Sequence, residues 1–63
     1  MVKRTELLKR LRQIAKERGV TFDPTEGGSH TKVRLGDSFV TVPRHNEINE
    51  LTANGILRDA KGN

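Results

Sequence analysis

Strict alternation of apolar and polar residues on either side of a glycine-led pair, Gly36-Asp37, constrains this chain more than any other feature. Thr31, Val33 and Leu35 fall on one side of an extended chain and His30, Lys32 and Arg34 on the other, the period of two that a strand imposes. Gly36-Asp37 is a two-residue hairpin signal, and beyond it Val40 and Val42 alternate with Phe39 and Thr41. The pattern predicts two antiparallel strands, residues 29–35 and 38–42, the second ended by Pro43, which has no N–H to give a ladder. With Leu35 opposite Ser38, His30 comes opposite Pro43, and one imidazole and two cations share a face. Alternation leaves open whether Phe39 packs at the sheet margin or faces water.

Upstream, residues 20–23 alternate as a further strand with Phe22 its core residue, and Pro24 is expected to stop it. Residues 25–28 then read as a flexible turn. Before this strand, Thr5 can cap a helix whose apolar positions Leu7, Leu8, Leu11, Ile14 and Ala15 form one stripe. Gly19 ends that helix, and Val20 can fold back onto the stripe. From Asn46 the period becomes helical again: Ile48, Leu51, Thr52, Gly55 and Ile56 share a face, with Leu57 and Ala60 beside it. Asn46 or Asn49 serves as its cap, Gly55 suggests close approach of another backbone, and residues 61–63 read as a fraying end. The expected fold is α+β in the order α-β-β-β-α, a three-stranded antiparallel sheet with both helices on one face and the other face open.

At 63 residues the chain is expected to form a single domain, 1–63, and one this small buries only about 60% of the surface its unfolded chain exposes. With 32% apolar residues and no aromatics beyond Phe22 and Phe39, an enclosed cofactor cavity has no room, so the site should be shallow and no cofactor is expected. The absence of cysteine removes disulfides and thiolate chemistry, and two histidines without clustered carboxylates make a poor metal set. No apolar run approaches a membrane span and charges interrupt residues 1–18, so a soluble, cytoplasmic protein without a membrane partner is expected. Those eighteen residues hold seven cations and two anions, whereas residues 19–63 hold five cations and six anions. A polyanionic partner would account for that asymmetry through Lys9, Arg12 and Lys16 on the outer side of the first helix, as would a helix surface charged for solubility alone.

The element order, the turn Gly28-Ser29-His30, the exit Val40-Thr41-Val42-Pro43-Arg44-His45 and the final Ile56-Leu57-Arg58 together resemble the HicA toxins, over nearly the whole chain. That resemblance implies a small metal-independent endoribonuclease of a toxin–antitoxin pair, built on a fold like that of double-stranded-RNA-binding domains. It further implies messenger or other single-stranded RNA as substrate, a cognate HicB-like antitoxin as protein partner, and a catalytic histidine at His30. Residue chemistry alone leaves His30 as either a proton-transfer group or an exposed strand histidine, and the resemblance favours the first. One imidazole does not readily act as base and acid in one encounter, so a second group, of which His45 is the natural candidate, or water would assist; for His45 itself a loop histidine satisfying backbone groups is the favoured reading. Lys32, Arg34 and Arg44 are candidate phosphate contacts, Gly28 offers close backbone approach, and Ser29 can donate a hydrogen bond. The alternative is a non-catalytic double-stranded-RNA-binding module, but such modules carry lysines at the start of the second helix where this chain has Glu47 and Glu50.

Overall fold

The Gly36-Asp37 pair turns the chain where its sequence requires, and the hairpin it closes is the centre of the fold. The computed structural model of the chain describes residues 1–62; Asn63, the last residue of the expected fraying end, lies outside the described residues. In chain order the elements are β1 (Val2–Lys3), α1 (Arg4–Arg18), β2 (Phe22–Gly27), β3 (His30–Leu35), β4 (Ser38–Pro43), β5 (Glu47–Ile48) and α2 (Glu50–Ala60). The strands β2-β3-β4 form an antiparallel sheet in that order, with Leu35 paired to Ser38 and His30 to Pro43 as the turn dictates. Gly36 has φ 64°, and a Cβ there would sit 3.0 Å from the Val20 side chain, so both backbone angle and space favour glycine.

Both helices lie on the face of the sheet that carries Thr31, Val33, Leu35, Val40 and Val42, and one apolar cluster fills the space between. Helix α1 contributes Leu7, Leu11, Ile14 and Ala15 with Leu8 half-buried; α2 contributes Ala53, Ile56 and Ala60. Gly19 takes the left-handed conformation at the end of α1, and Val20 folds back, its N–H donating to the Ala15 carbonyl.

Five expectations require correction. Pro24 does not stop its strand: β2 runs through it, Pro24 pairing with Val33, because β2 is an edge strand where a missing N–H can be tolerated. The turn is therefore not residues 25–28 but the pair Gly28-Ser29, with Gly27 opposite His30. Thr5 is not a cap; α1 begins at Arg4 without a side-chain cap, and the Arg4 N–H donates to the Asn46 carbonyl instead. The second helix begins at Glu50, not Asn46, with the Asn49 side chain accepting from the Leu51 N–H, and Leu51 is 83% exposed rather than in the core. The two-residue pairing of β1 with β5, Val2 to Ile48 and Lys3 to Glu47, occupies the segment expected to open that helix.

The fifth correction concerns Gly55, which meets no other backbone: a Cβ placed there has nothing within 4 Å. Gly55→Ala is accordingly expected to stabilise the chain by about 0.5–1 kcal/mol, by relieving the helix of glycine's excess unfolded-state entropy. Thermal unfolding followed by circular dichroism should show the midpoint several degrees higher. A lowered midpoint would reveal a packing constraint at Gly55.

Candidate functional site

Two glycine-led turns lie at opposite ends of β3, and the one at its start presents His30. Gly28 has φ 56° and Ser29 does not share a positive φ, the pattern of a type II′ hairpin in which glycine takes the first central position. This turn sets His30 as the first residue of β3, flanked by Gly27 on β2 and Pro43 on β4. The imidazole is exposed and points away from the helices, and its Nδ1 lies 3.2 Å from the Ser29 hydroxyl. A ring held through Nδ1 leaves Nε2 open to solvent. Ser29 and His30 thus place an exposed imidazole, with its Nδ1 against a hydroxyl, at one end of an open sheet.

The same face continues along β3 through Lys32 and Arg34, both exposed. Across the ladder from them on β4 stand Thr41 and Phe39, and the Lys32 ammonium lies 4.9 Å from the centre of the Phe39 ring. Phe39 does face water, at 58% exposure, which answers the question its alternation left open.

On the opposite face, toward the N-terminus of α1, a polar cluster sits under the His30 turn. Thr31 is 1% exposed among apolar neighbours, and its hydroxyl donates to the Glu26 carboxylate at 3.0 Å while accepting from the Arg4 guanidinium. Glu26 also pairs with Arg4 at 3.7 Å and with Arg44 at 3.5 Å. Arg44 reaches further, its Nη1 donating to the Gly28 carbonyl at 3.3 Å. Through Glu26, α1, β3 and the segment after β4 are tied to the turn that carries His30. Loop residues 44–46, including the exposed His45, are fastened by the Arg4 N–H to Asn46 bond.

Arg44, expected as a phosphate contact, therefore has two partners within the protein, its half-exposed guanidinium bridging Glu26 and the Gly28 carbonyl of the turn. Arg44→Lys separates the two roles, because lysine keeps the charge but not the fork that spans Glu26 and Gly28. For the RNA cleavage that the resemblance implies, a positioning role predicts a kcat roughly tenfold lower with KM little changed. The unfolding midpoint should move only slightly, since half-exposed ion pairs contribute about 0.2–1 kcal/mol. A raised KM with unchanged kcat would instead make Arg44 a substrate contact.

The structure sets His30, Lys32 and Arg34 on one face along β3, with Gly28 and Ser29 in the turn at its start; Arg44 reaches that turn from the opposite face through Glu26, and His45 lies in the adjoining loop. It does not bring Lys9, Arg12 and Lys16 there: these line a cleft with Val20 and Phe22 on the helical layer. Sequence reasoning turned Thr31 inward but missed its partners Glu26 and Arg4. A threonine on a core-facing strand position needs a partner, and recognising Gly28-Ser29 as the turn would have placed Glu26 beside it. Among the described residues no group of three or more His, Cys, Asp or Glu is placed to hold a metal ion, and no helix is long and apolar enough to cross a membrane.

Comparison with known proteins agrees with this architecture at the level of the family. The family model described as the HicA toxin of bacterial toxin–antitoxin matches residues 8–61, a span that includes the Gly28-Ser29-His30 turn and the exit from β4. No curated protein and no solved structure matches the chain. With α1 from Leu8 onward, the whole β2-β3-β4 sheet and α2 inside one match, the chain belongs to the HicA toxin family of bacterial toxin–antitoxin systems.

Proposed function

We propose that this toxin is a cytoplasmic, metal-independent endoribonuclease that cleaves messenger or other single-stranded RNA through His30. The observation that carries the reading is the exposed imidazole at the glycine turn, oriented through Nδ1 by Ser29 and followed on the same face by two cations. With the Nδ1–H donating to the Ser29 hydroxyl, Nε2 is the free base and takes the proton of a ribose 2′-hydroxyl. That oxygen attacks the adjacent phosphorus, the bond to the 5′-oxygen breaks, and the products are a 2′,3′-cyclic phosphate and a 5′-hydroxyl. Lys32, two residues along β3 from His30, offsets charge developing on the phosphate and Arg34 holds the RNA backbone further along the strand, with the backbone of Gly28 allowing close approach. The leaving oxygen takes its proton from water or His45. Lys9, Arg12 and Lys16, on the helical layer, would add only non-specific attraction for the RNA.

A non-catalytic double-stranded-RNA-binding role fits less well, because Glu50 opens α2, with Glu47 just before it in β5, where phosphates would be gripped. Purified protein should cleave single-stranded RNA in excess EDTA and leave 2′,3′-cyclic phosphate ends. Dependence on added magnesium, or 5′-phosphate products, would mean that water attacks and that the reading is wrong.

A further inference from the structure

We propose that Phe39 is a stacking site for one base of the single-stranded RNA that threads the open sheet face toward His30. The proposal rests on the RNA-cleaving reading for the class of its ligand and on three observations of its own. Phe39 is the large apolar side chain that the sheet's outer face leaves in water, 58% exposed on a strand whose valines are buried. It is the cross-strand partner of Arg34, with the Lys32 ammonium 4.9 Å from its ring centre. It also lies in the same ladder as the His30–Pro43 pair, four residues along β3, a separation of about 13 Å at the rise of a strand.

An aromatic ring flanked by two cations is how proteins hold a single strand: the ring takes the base, and the cations take the phosphates on either side. The Lys32 ammonium over the ring is no obstacle. An exposed cation–π contact is weaker than base stacking on the same ring, so an arriving base releases Lys32 to a phosphate. The neighbours of Phe39 argue that a protein lying on this face would be held by the charges and not by this ring. By the pleat, the outward positions of the sheet are Asp23, Thr25 and Gly27, then His30, Lys32 and Arg34, then Phe39, Thr41 and Pro43. Phe39 is thus isolated among polar and charged groups, whereas a protein partner's hot spot sits inside a larger apolar patch. Among the described outward positions of the three strands the one carboxylate is Asp23, which lies on the β2 side of Arg34 and leaves the path from Phe39 to His30 cationic. Stacking tolerates any base, so the site fixes distance to the scissile phosphate and not sequence.

The chain contains no tryptophan or tyrosine, so Phe39→Trp makes a reporter confined to this position. Titration with a short single-stranded oligonucleotide of 2′-methoxy ribose, which cannot be cut by 2′-hydroxyl attack, should quench its fluorescence. A strand of equal length and charge with abasic sites should not. Phe39→Ala should bind the 2′-methoxy strand about five- to hundredfold more weakly, with Phe39→Tyr restoring binding and Phe39→Leu failing to. Equal binding by wild type and Phe39→Ala, or equal quenching by the abasic strand, overturns the proposal. So does a Phe39→Ala variant that binds RNA normally but no longer binds the antitoxin, which would make the ring a protein contact. Quenching without cleavage of ordinary RNA by the wild type would refute the RNA-cleaving reading and leave the stacking site standing. Cleavage that is indifferent to Phe39 would do the reverse.

Discussion

His30→Ala is expected to reduce RNA cleavage about 10²–10⁴-fold, the range that a positioned acid–base group supplies, while leaving the fold and RNA affinity almost unchanged. The side chain is exposed on the open face, and its hydrogen bond is to the hydroxyl of the residue before it. Its removal opens no cavity and strands no buried donor, so the unfolding midpoint should stay within the small range of surface substitutions. Affinity persists because Lys32, Arg34 and the helical cations are untouched. Ser29→Ala supplies the intermediate case: the imidazole remains but loses the partner at Nδ1, so kcat should fall by less than in His30→Ala, with KM steady. Equal cleavage by His30→Ala and wild type would remove the imidazole from the chemistry. A collapsed circular-dichroism spectrum would show that it serves the fold instead.

How far this site could be read from the sequence depended on which interactions are local. The β3–β4 hairpin was legible because its turn pair and alternation are contiguous, and fixing Leu35 against Ser38 fixes every pair down to His30 and Pro43. The β2–β3 hairpin was not, because Pro24 is a strand-breaker only in a strand paired on both sides, and the edge position of β2 is a property of the assembled sheet. With that register misplaced, Glu26 read as a turn residue, and its partners Arg4 and Arg44, 22 positions before it and 18 after, had nothing to point to them. The start of α2 was misread for a similar reason. Ile48 has helical spacing to Leu51 and Ile56, yet it is buried through β5 pairing with the first residues of the chain, while Leu51 faces water. Periodicity reports that a residue is apolar and not which element buries it. The residues of the open face needed only the alternation of β3, so His30, Lys32 and Arg34 were found together from the start.

Membership of the toxin family brings an antitoxin partner, and the second large effect expected is that this partner abolishes cleavage by lying across His30, Lys32 and Arg34. The site is a face and not a pocket: both helices are committed to the opposite side of the sheet, and both β3 turns are two residues long, so no element of the described chain can fold over His30. Control of such a site comes from outside. An acidic surface set against Lys32 and Arg34 would exclude phosphate and bury the imidazole in one step, and the same charges would speed the encounter. At saturating antitoxin, cleavage should drop to background. His30 should also become protected from diethyl pyrocarbonate, read peptide by peptide so that His45 is scored separately. Lys32→Glu combined with Arg34→Glu should weaken the complex on the order of a hundredfold or more, because each reversal sets like charges together at the interface. The same pair should also lose RNA binding, as expected if toxin substrate and antitoxin compete for one face. Protection confined to the outer side of α1, with His30 still reactive in a fully inhibited complex, would show that the antitoxin acts from the helical layer and that the open sheet is not where it docks.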